Sequence, residues 1–267
     1  MGDYKTCART LAKAFNSDDV AFYFLDVPDN GGKTREQLWP LHLEVFEYVV
    51  CAHIHNGLVL SVGENHEGVA LWMPPGKDID DWFTIFRSGI WRLWFKLTVE
   101  GRKRYFGEFI EVLHRTKVNA LGEQHEEAWY LVYLGVAPAA RGRGYARKLV
   151  EHMTKVISPG GAPCYLESSH IRNLPMYQRF GFIPHSRIEL GPDTCKPVPL
   201  DIMIRPRLNF TGKKNWTVTR WLLFQFKPFF PWLGGLVILG GIKYWMPQLD
   251  CLLGKNPSSF VCRYCKF

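Results

Sequence analysis

The strongest chemical signal in this chain lies in Leu134-Gly135-Val136-Ala137-Pro138-Ala139-Ala140-Arg141-Gly142-Arg143-Gly144-Tyr145-Ala146. An apolar strand runs out at Pro138 and passes into a glycine- and arginine-rich loop that opens a helix. Peptide N–H groups at a helix start have no partner within the helix, and the helix dipole adds partial positive charge there. Gly142 and Gly144 let a phosphate approach the main chain closely, and Arg141, Arg143 and Arg147 add full charge. The loop is therefore built for a pyrophosphate. Its spacing is neither GxxxxGK[ST] nor GxGxxG after the first strand of a βαβ unit, which argues against a nucleoside-triphosphate loop and against a dinucleotide site.

A second segment, Asn173-Leu174-Pro175-Met176-Tyr177-Gln178-Arg179-Phe180-Gly181-Phe182, follows 27 residues after Ala146 with one strand between. The spacing Arg141-x-x-Gly144-x-Ala146 after a strand, followed by Asn173-x-x-x-Tyr177-x-x-x-Gly181-Phe182, resembles the coenzyme A loop and a later segment of the GNAT superfamily of N-acetyltransferases. The phrases Val69–Gly76 and Tyr165–Ser169 are similar to the branch that includes puromycin acetyltransferase. This resemblance covers residues 1–206. It implies an α/β (α+β) fold whose central mixed, mostly antiparallel sheet is flanked by helices, with acetyl-CoA as co-substrate and no metal. It further implies that Leu134 and Val136 offer backbone groups to the pantetheine arm, and that Arg141, Gly142, Arg143, Gly144, Tyr145 and Ala146 bind the pyrophosphate. Asn173 would contact the coenzyme arm, and Tyr177 would protonate the departing thiolate.

The reaction sets its own requirements. A neutral amine must attack a thioester carbonyl while both reactants are held, which removes a large entropic part of the barrier. A backbone N–H near Leu134 can stabilise the oxyanion. The leaving thiolate needs an acid of similar pKa, and a tyrosine suits; the plainer reading of Tyr177 is a core side chain. A base must take the amine proton. Glu167 is the first candidate, because an acidic residue in mid-strand needs a reason; a structural carboxylate bonded to loop amides is the alternative. His125, Glu126 and Glu127, just before the cofactor strand, come next. His170 reads as a helix-start residue.

The elements that must position these groups follow from periodicity. Helices are expected over 4–15, 34–54, 144–156 and near 174–180. Two more cover 79–118, broken near Glu100-Gly101 and rich in Trp and Phe, some of which would wall a substrate pocket. Strands are expected at 22–25, 58–62, 68–73, 129–136, 164–168, 183–190 and 200–205.

The bulk numbers bound what remains. The chain has 267 residues with 47% hydrophobic content, enough for a core without disulfides. Residues 207–267 carry nine Lys/Arg and one Asp, so the net charge of +8 belongs to this tail and residues 1–206 balance. Such a tail could meet anionic lipid or nucleic acid, or stay solvated, and no nucleic acid is expected of the main domain. Its apolar 221–246 segment has 15 uncharged residues between Lys227 and Lys243, with prolines and Gly-Gly pairs, short for a spanning helix but open to membrane contact. Seven scattered cysteines form no framework, and Cys262-x-x-Cys265 lacks the partners of a zinc site. With no apolar leader in the first twenty residues, a cytoplasmic setting is expected. The opening Met1-Gly2 matches a loose myristoylation pattern, but Asp3 reads more simply as a helix cap. The leading function is acetylation of a small-molecule amine, in detoxification or specialised metabolism. A protein N-acetyltransferase, or a non-catalytic membrane-tethered coenzyme A-binding module, is the alternative.

Overall fold

A computed structural model describes residues 3–79, 81–191, 197–207 and 261–262. The expectations placed on 221–246 and on Cys265 lie outside these residues. Among the described residues, no helix is long and apolar enough to cross a membrane.

Helix α1 (Asp3–Ala14) buries Cys7, Ala8, Leu11 and Ala12 on one stripe, the i, i+4 pattern of an amphipathic helix. Helix α2 (Arg35–Asn56) starts at a reciprocal capping box, with Thr34 accepting from the Gln37 N–H and Gln37 reaching back to Thr34. Strands β1 (Leu58–Val62) and β2 (Gly68–Met73) form the expected hairpin. Both are buried along their whole length, as a sheet covered on two faces requires.

The helical stretch that follows departs from expectation. Short helices α3 (Trp82–Ser88), α4 (Leu93–Lys96) and α5 (Val99–Arg102) lead through a π-helical stretch, Lys103–Phe109, into α6 (Ile110–Leu121). The break falls at extended Leu97 and Thr98, where the Thr98 side chain caps α5. Gly101 lies inside the helix instead, because a Cβ there would stand 2.6 Å from the Phe24 carbonyl oxygen. Residues Phe22–Leu25 form no strand. Asp18 accepts from the Val20 and Ala21 N–H groups and winds this segment into turns, with the Phe22 N–H donating to the Asp18 carbonyl.

Strand β3 (Trp129–Val136), helix α7 (Tyr145–Ile157), strand β4 (Cys164–Ser168), helix α8 (Leu174–Arg179) and strands β5 (Ile183–Leu190) and β6 (Val198–Arg205) complete the order, with a two-residue strand β7 (Val261–Cys262) pairing with β1. The sheet runs β5-β6-β4-β3-β2-β1-β7. Among the described residues, only β3 and β4 are parallel. One apolar cluster joins α1, α2 and one sheet face; a second packs Leu149, Val150 and Met153 of α7 against the other.

Candidate active site

Two irregularities of β3 create the site. Parallel pairing with β4 is confined to Trp129↔Cys164 and Tyr130↔Tyr165. Beyond that point the strands part, so the remainder of β3 pairs with β2 alone. Against β2, Leu71 faces Tyr133 while Trp72 faces Leu131, so Val132 is the extra residue of a bulge. A bulge bends its strand and re-aims the side chains around it. The parted edge faces a cavity of about 1460 Å³, lined by β3 from Tyr130 to Val136, by the α7 loop and by α8. That exceeds the 300–1,000 Å³ usual for one small ligand and leaves room for two reactants.

The loop before α7 holds Gly142 at φ 82° and Gly144 at φ 76°, both left-handed. A Cβ at either position would meet nothing within 4 Å, so these glycines are set by backbone conformation and by the open space in front of them. Gly144 stands at the N-cap without a side-chain cap, and the first bond back into the cap comes from Lys148. The N–H groups of Tyr145, Ala146 and Arg147 are thus turned out at the positive end of a 13-residue helix. Arg141, Gly142, Gly144, Tyr145, Ala146 and Arg147 line the cavity, and so do Leu134, Val136 and Asn173. Arg143 is exposed and is not among the lining residues. Arg141 also donates to the Ala14 carbonyl at the end of α1 (3.3 Å), and Arg147 pairs with Glu151 (2.7 Å).

Tyr177 is buried on α8 and faces the same cavity, its ring edge-on to Phe182. Burial pushes its pKa well above the usual tyrosine value, and the Asp18 carboxylate adds to the shift. Asp18 accepts from Ser169 Oγ (2.5 Å) and lines the cavity as well. Asp18 is not among the sequence candidates, because only the fold brings it beside the cavity.

Glu167 lies on β4 where β3 departs. The residue is half-buried, yet its Oε1 is closed off from solvent and has no hydrogen-bond partner. Desolvation lifts its carboxyl to about 7, against the opposing pull of the Tyr130 and Tyr165 hydroxyls and the Lys117 ammonium. The Tyr165 hydroxyl makes no bond of acceptable geometry either, so it stands beside the carboxyl rather than bonded to it. Lys117 sits with Nζ 5.3 Å from the Tyr130 ring centroid. Burial lowers its pKa, and Asp78 and Glu167 oppose the shift.

The structure separates the other candidates. His125, Glu126 and Glu127 do not line the cavity, and Glu127 is engaged by Arg207. His170 does line the cavity, but its Nδ1 accepts from the Arg172 N–H and starts the turn into α8. Of the aromatic helices, Tyr105 and Phe109 wall the cavity. Trp82, Phe83, Phe86, Trp91, Trp94 and Phe95 are exposed and lie outside it.

Comparison with known proteins now decides the family. Residues 109–184 match the model of the acetyltransferase (GNAT) domain. An uncharacterized N-acetyltransferase of Schizosaccharomyces pombe is 48% identical over 203 residues, 76% of this chain and 79% of the relative. The chain belongs to the GNAT acetyltransferases. Among solved structures, a histone acetyltransferase and related acetyltransferase from Corynebacterium glutamicum is 24% identical with a TM-score of 0.44, covering 78% of this chain and 93% of that one. Arylalkylamine N-acetyltransferase 2 from Aedes aegypti is 16% identical with a TM-score of 0.48, covering 77% and 94%. The GNAT fold, with its mostly antiparallel sheet flanked by helices, is the fold of this chain. Acetyl-CoA is the cofactor the family implies. The residues fit it on their own evidence: outward N–H groups at α7, open space before Gly142 and Gly144, and an unpaired β3 edge.

Proposed function

We propose that this GNAT protein acetylates the amine of a small molecule with a substantially apolar body, taking the acetyl group from acetyl-CoA. The observation that carries this reading is the Glu167 carboxyl, raised to about 7, with an unpartnered Oε1 on the cavity that the open β3 edge and the α7 N-terminus also face. A base is most useful when its pKa lies near the working pH, since it is then both available and strong enough.

The residues divide the work. Main-chain groups of Leu134 and Val136 pair with the pantetheine arm as an added strand would. The N–H groups from Gly142 to Ala146, with the Arg141 side chain, hold the diphosphate, Arg143 contributing its main chain rather than a lining side chain, and Asn173 contacts the arm. When bound, acetyl-CoA supplies the activated acyl group. Glu167, directly or through water, accepts the proton the amine gives up. Tyr177 keeps its proton at neutral pH, because burial disfavours tyrosinate, and so has one to deliver to the departing sulfur.

The acceptor class rests on the walls. Phe24, Val45, Val49, Tyr105, Phe109 and Leu113 give an apolar wall, while Asp18 and Glu167 offer negative charge to an ammonium that must bind before it is deprotonated. An apolar wall with acidic groups beside it fits an amine carried on an apolar body. The phrases Val69–Gly76 and Tyr165–Ser169 further support a place in the puromycin acetyltransferase-like branch.

A thiol-release assay with acetyl-CoA against a panel of amines tests the reading. Thiol release with bulky apolar amines, and little with short hydrophilic ones or with peptides, is expected. Release with peptides alone would move the acceptor to the protein class. Coenzyme A binding without release for any acceptor would leave only a binding module.

A further inference from the structure

The aromatic residues that do not reach the cavity form a surface of their own. Seven of the nine exposed large apolar side chains among the described residues lie between Trp82 and Val99. Trp82 is 83% exposed, Phe95 75%, Phe86 68% and Phe83 62%. Exposed apolar residues scattered singly need no explanation, but a contiguous group of this kind marks an interaction site. Cations are interleaved with the rings: the Arg87 guanidinium stands 5.2 Å from the Phe83 centroid, Arg92 5.0 Å from Trp91 and Arg102 5.5 Å from Trp94. From Trp82 to Arg104 the sequence has six basic residues and one acidic residue, Glu100. Glu100 is paired with Arg104, and Lys96 with Glu44. At the edge, Asp81 is turned in to cap α3, accepting from the Thr84 N–H (3.0 Å).

We propose that the face made by α3, α4 and α5 docks on an anionic lipid surface. Aromatic rings settle at headgroup depth, and neighbouring Lys and Arg meet lipid phosphates. Charge selects this occupant over two others. A second copy would bring the same excess of basic over acidic residues to both sides of the contact. The chain's own 207–267 segment, with nine basic residues and one acidic, has the same sign as the face. The face also connects to the active site. Trp94 contacts Phe106 (5.4 Å), Phe106 meets Tyr105 (4.8 Å), and Tyr105 stacks on Phe109 (6.2 Å), which with Tyr105 walls the cavity.

The test is sedimentation of the full chain with phosphatidylcholine vesicles, with and without phosphatidylserine. The parent should bind the mixed vesicles and ignore the neutral ones. The combined variant Trp82→Ser, Phe86→Ser and Phe95→Ser should lose partition by about tenfold or more. Its thermal melt should stay in place, since the side chains removed are exposed. Three results would overturn the proposal. Equal binding by parent and variant would assign any membrane contact to residues 207–267. Failure of the parent to bind either vesicle would remove the lipid altogether. A concentration-dependent dimer that disappears in the variant would make the face a contact between copies.

Discussion

The cavity has two halves built on different principles. On the proposed reading its coenzyme half rests mainly on main-chain groups of one unbroken stretch, Leu134 to Ala146, with two glycines at φ 82° and 76° and the Arg141 and Asn173 side chains added. Its acceptor half consists of side chains from distant parts of the chain: Asp18 before α2, Lys117 on α6, Tyr130 on β3 and Glu167 on β4. A main-chain cradle depends on local conformation and tolerates many side chains. A titrating cluster depends on burial, which only the finished fold supplies. Chemistry shared across a family therefore belongs in the first half, and the choice of acceptor in the second.

The sharpest way to break this division is Glu167→Gln. Turnover should fall by about 10²–10⁴, the range of a lost general base, while the affinity for coenzyme A stays unchanged. In the parent, kcat/KM should rise with pH through about 7, since the carboxyl must lose its proton to act. The variant should lose that rise. A pH profile that survives the substitution would take the base away from Glu167. Next in size is Tyr177→Phe, expected to lower turnover by roughly 10²-fold with coenzyme binding retained. If affinity falls instead, Tyr177 is part of the cradle rather than the acid.

Gly144→Ala tests the other half. The new Cβ meets nothing in the protein, so its cost to the fold is the left-handed backbone alone, roughly 1–2 kcal/mol. The methyl group would intrude on the phosphate. Coenzyme affinity should drop by about tenfold with the pH profile unmoved. A shifted profile with intact affinity would mean that the halves are not separable.

The same contrast explains what could be read from the sequence. Strand β3 and helix α7 lie within one residue of their expected bounds, because turn chemistry and apolar period are local signals. The candidacy of Glu167 was also legible, as an acid in mid-strand, but its raised pKa was not. The burial that raises it requires β3 and β4 to pair in parallel as far as Tyr130↔Tyr165 and then to part. The bulge at Val132 leaves no mark in a strand of ordinary composition. Trp82, Phe83 and Phe86 have the look of core residues by type, yet only burial distinguishes a wall from a surface, and these are exposed. The turns at Phe22–Leu25 mimic a strand in composition; a carboxylate four residues upstream of Phe22 overrides β propensity by taking two main-chain donors.

The smallest expected effect is also the one that links the halves. Asp18 lies in the acceptor half, yet its charge raises Tyr177 on α8 as well as Tyr133 on β3. Asp18→Asn keeps an oxygen for the Val20 and Ala21 N–H groups, and Ser169 Oγ, now facing an amide, can accept where it had donated. The turn should therefore hold and the melting temperature change little. With the negative charge gone, tyrosinate at 177 is opposed by burial alone, so its pKa falls toward the ordinary value while staying above it. The alkaline limb of the rate profile should then move to lower pH, with the optimum rate altered by less than about tenfold. Glu167, whose shift comes chiefly from its own burial, should keep its acid limb near 7. Movement of both limbs together would show that Asp18 acts by holding the backbone in place, not through its charge.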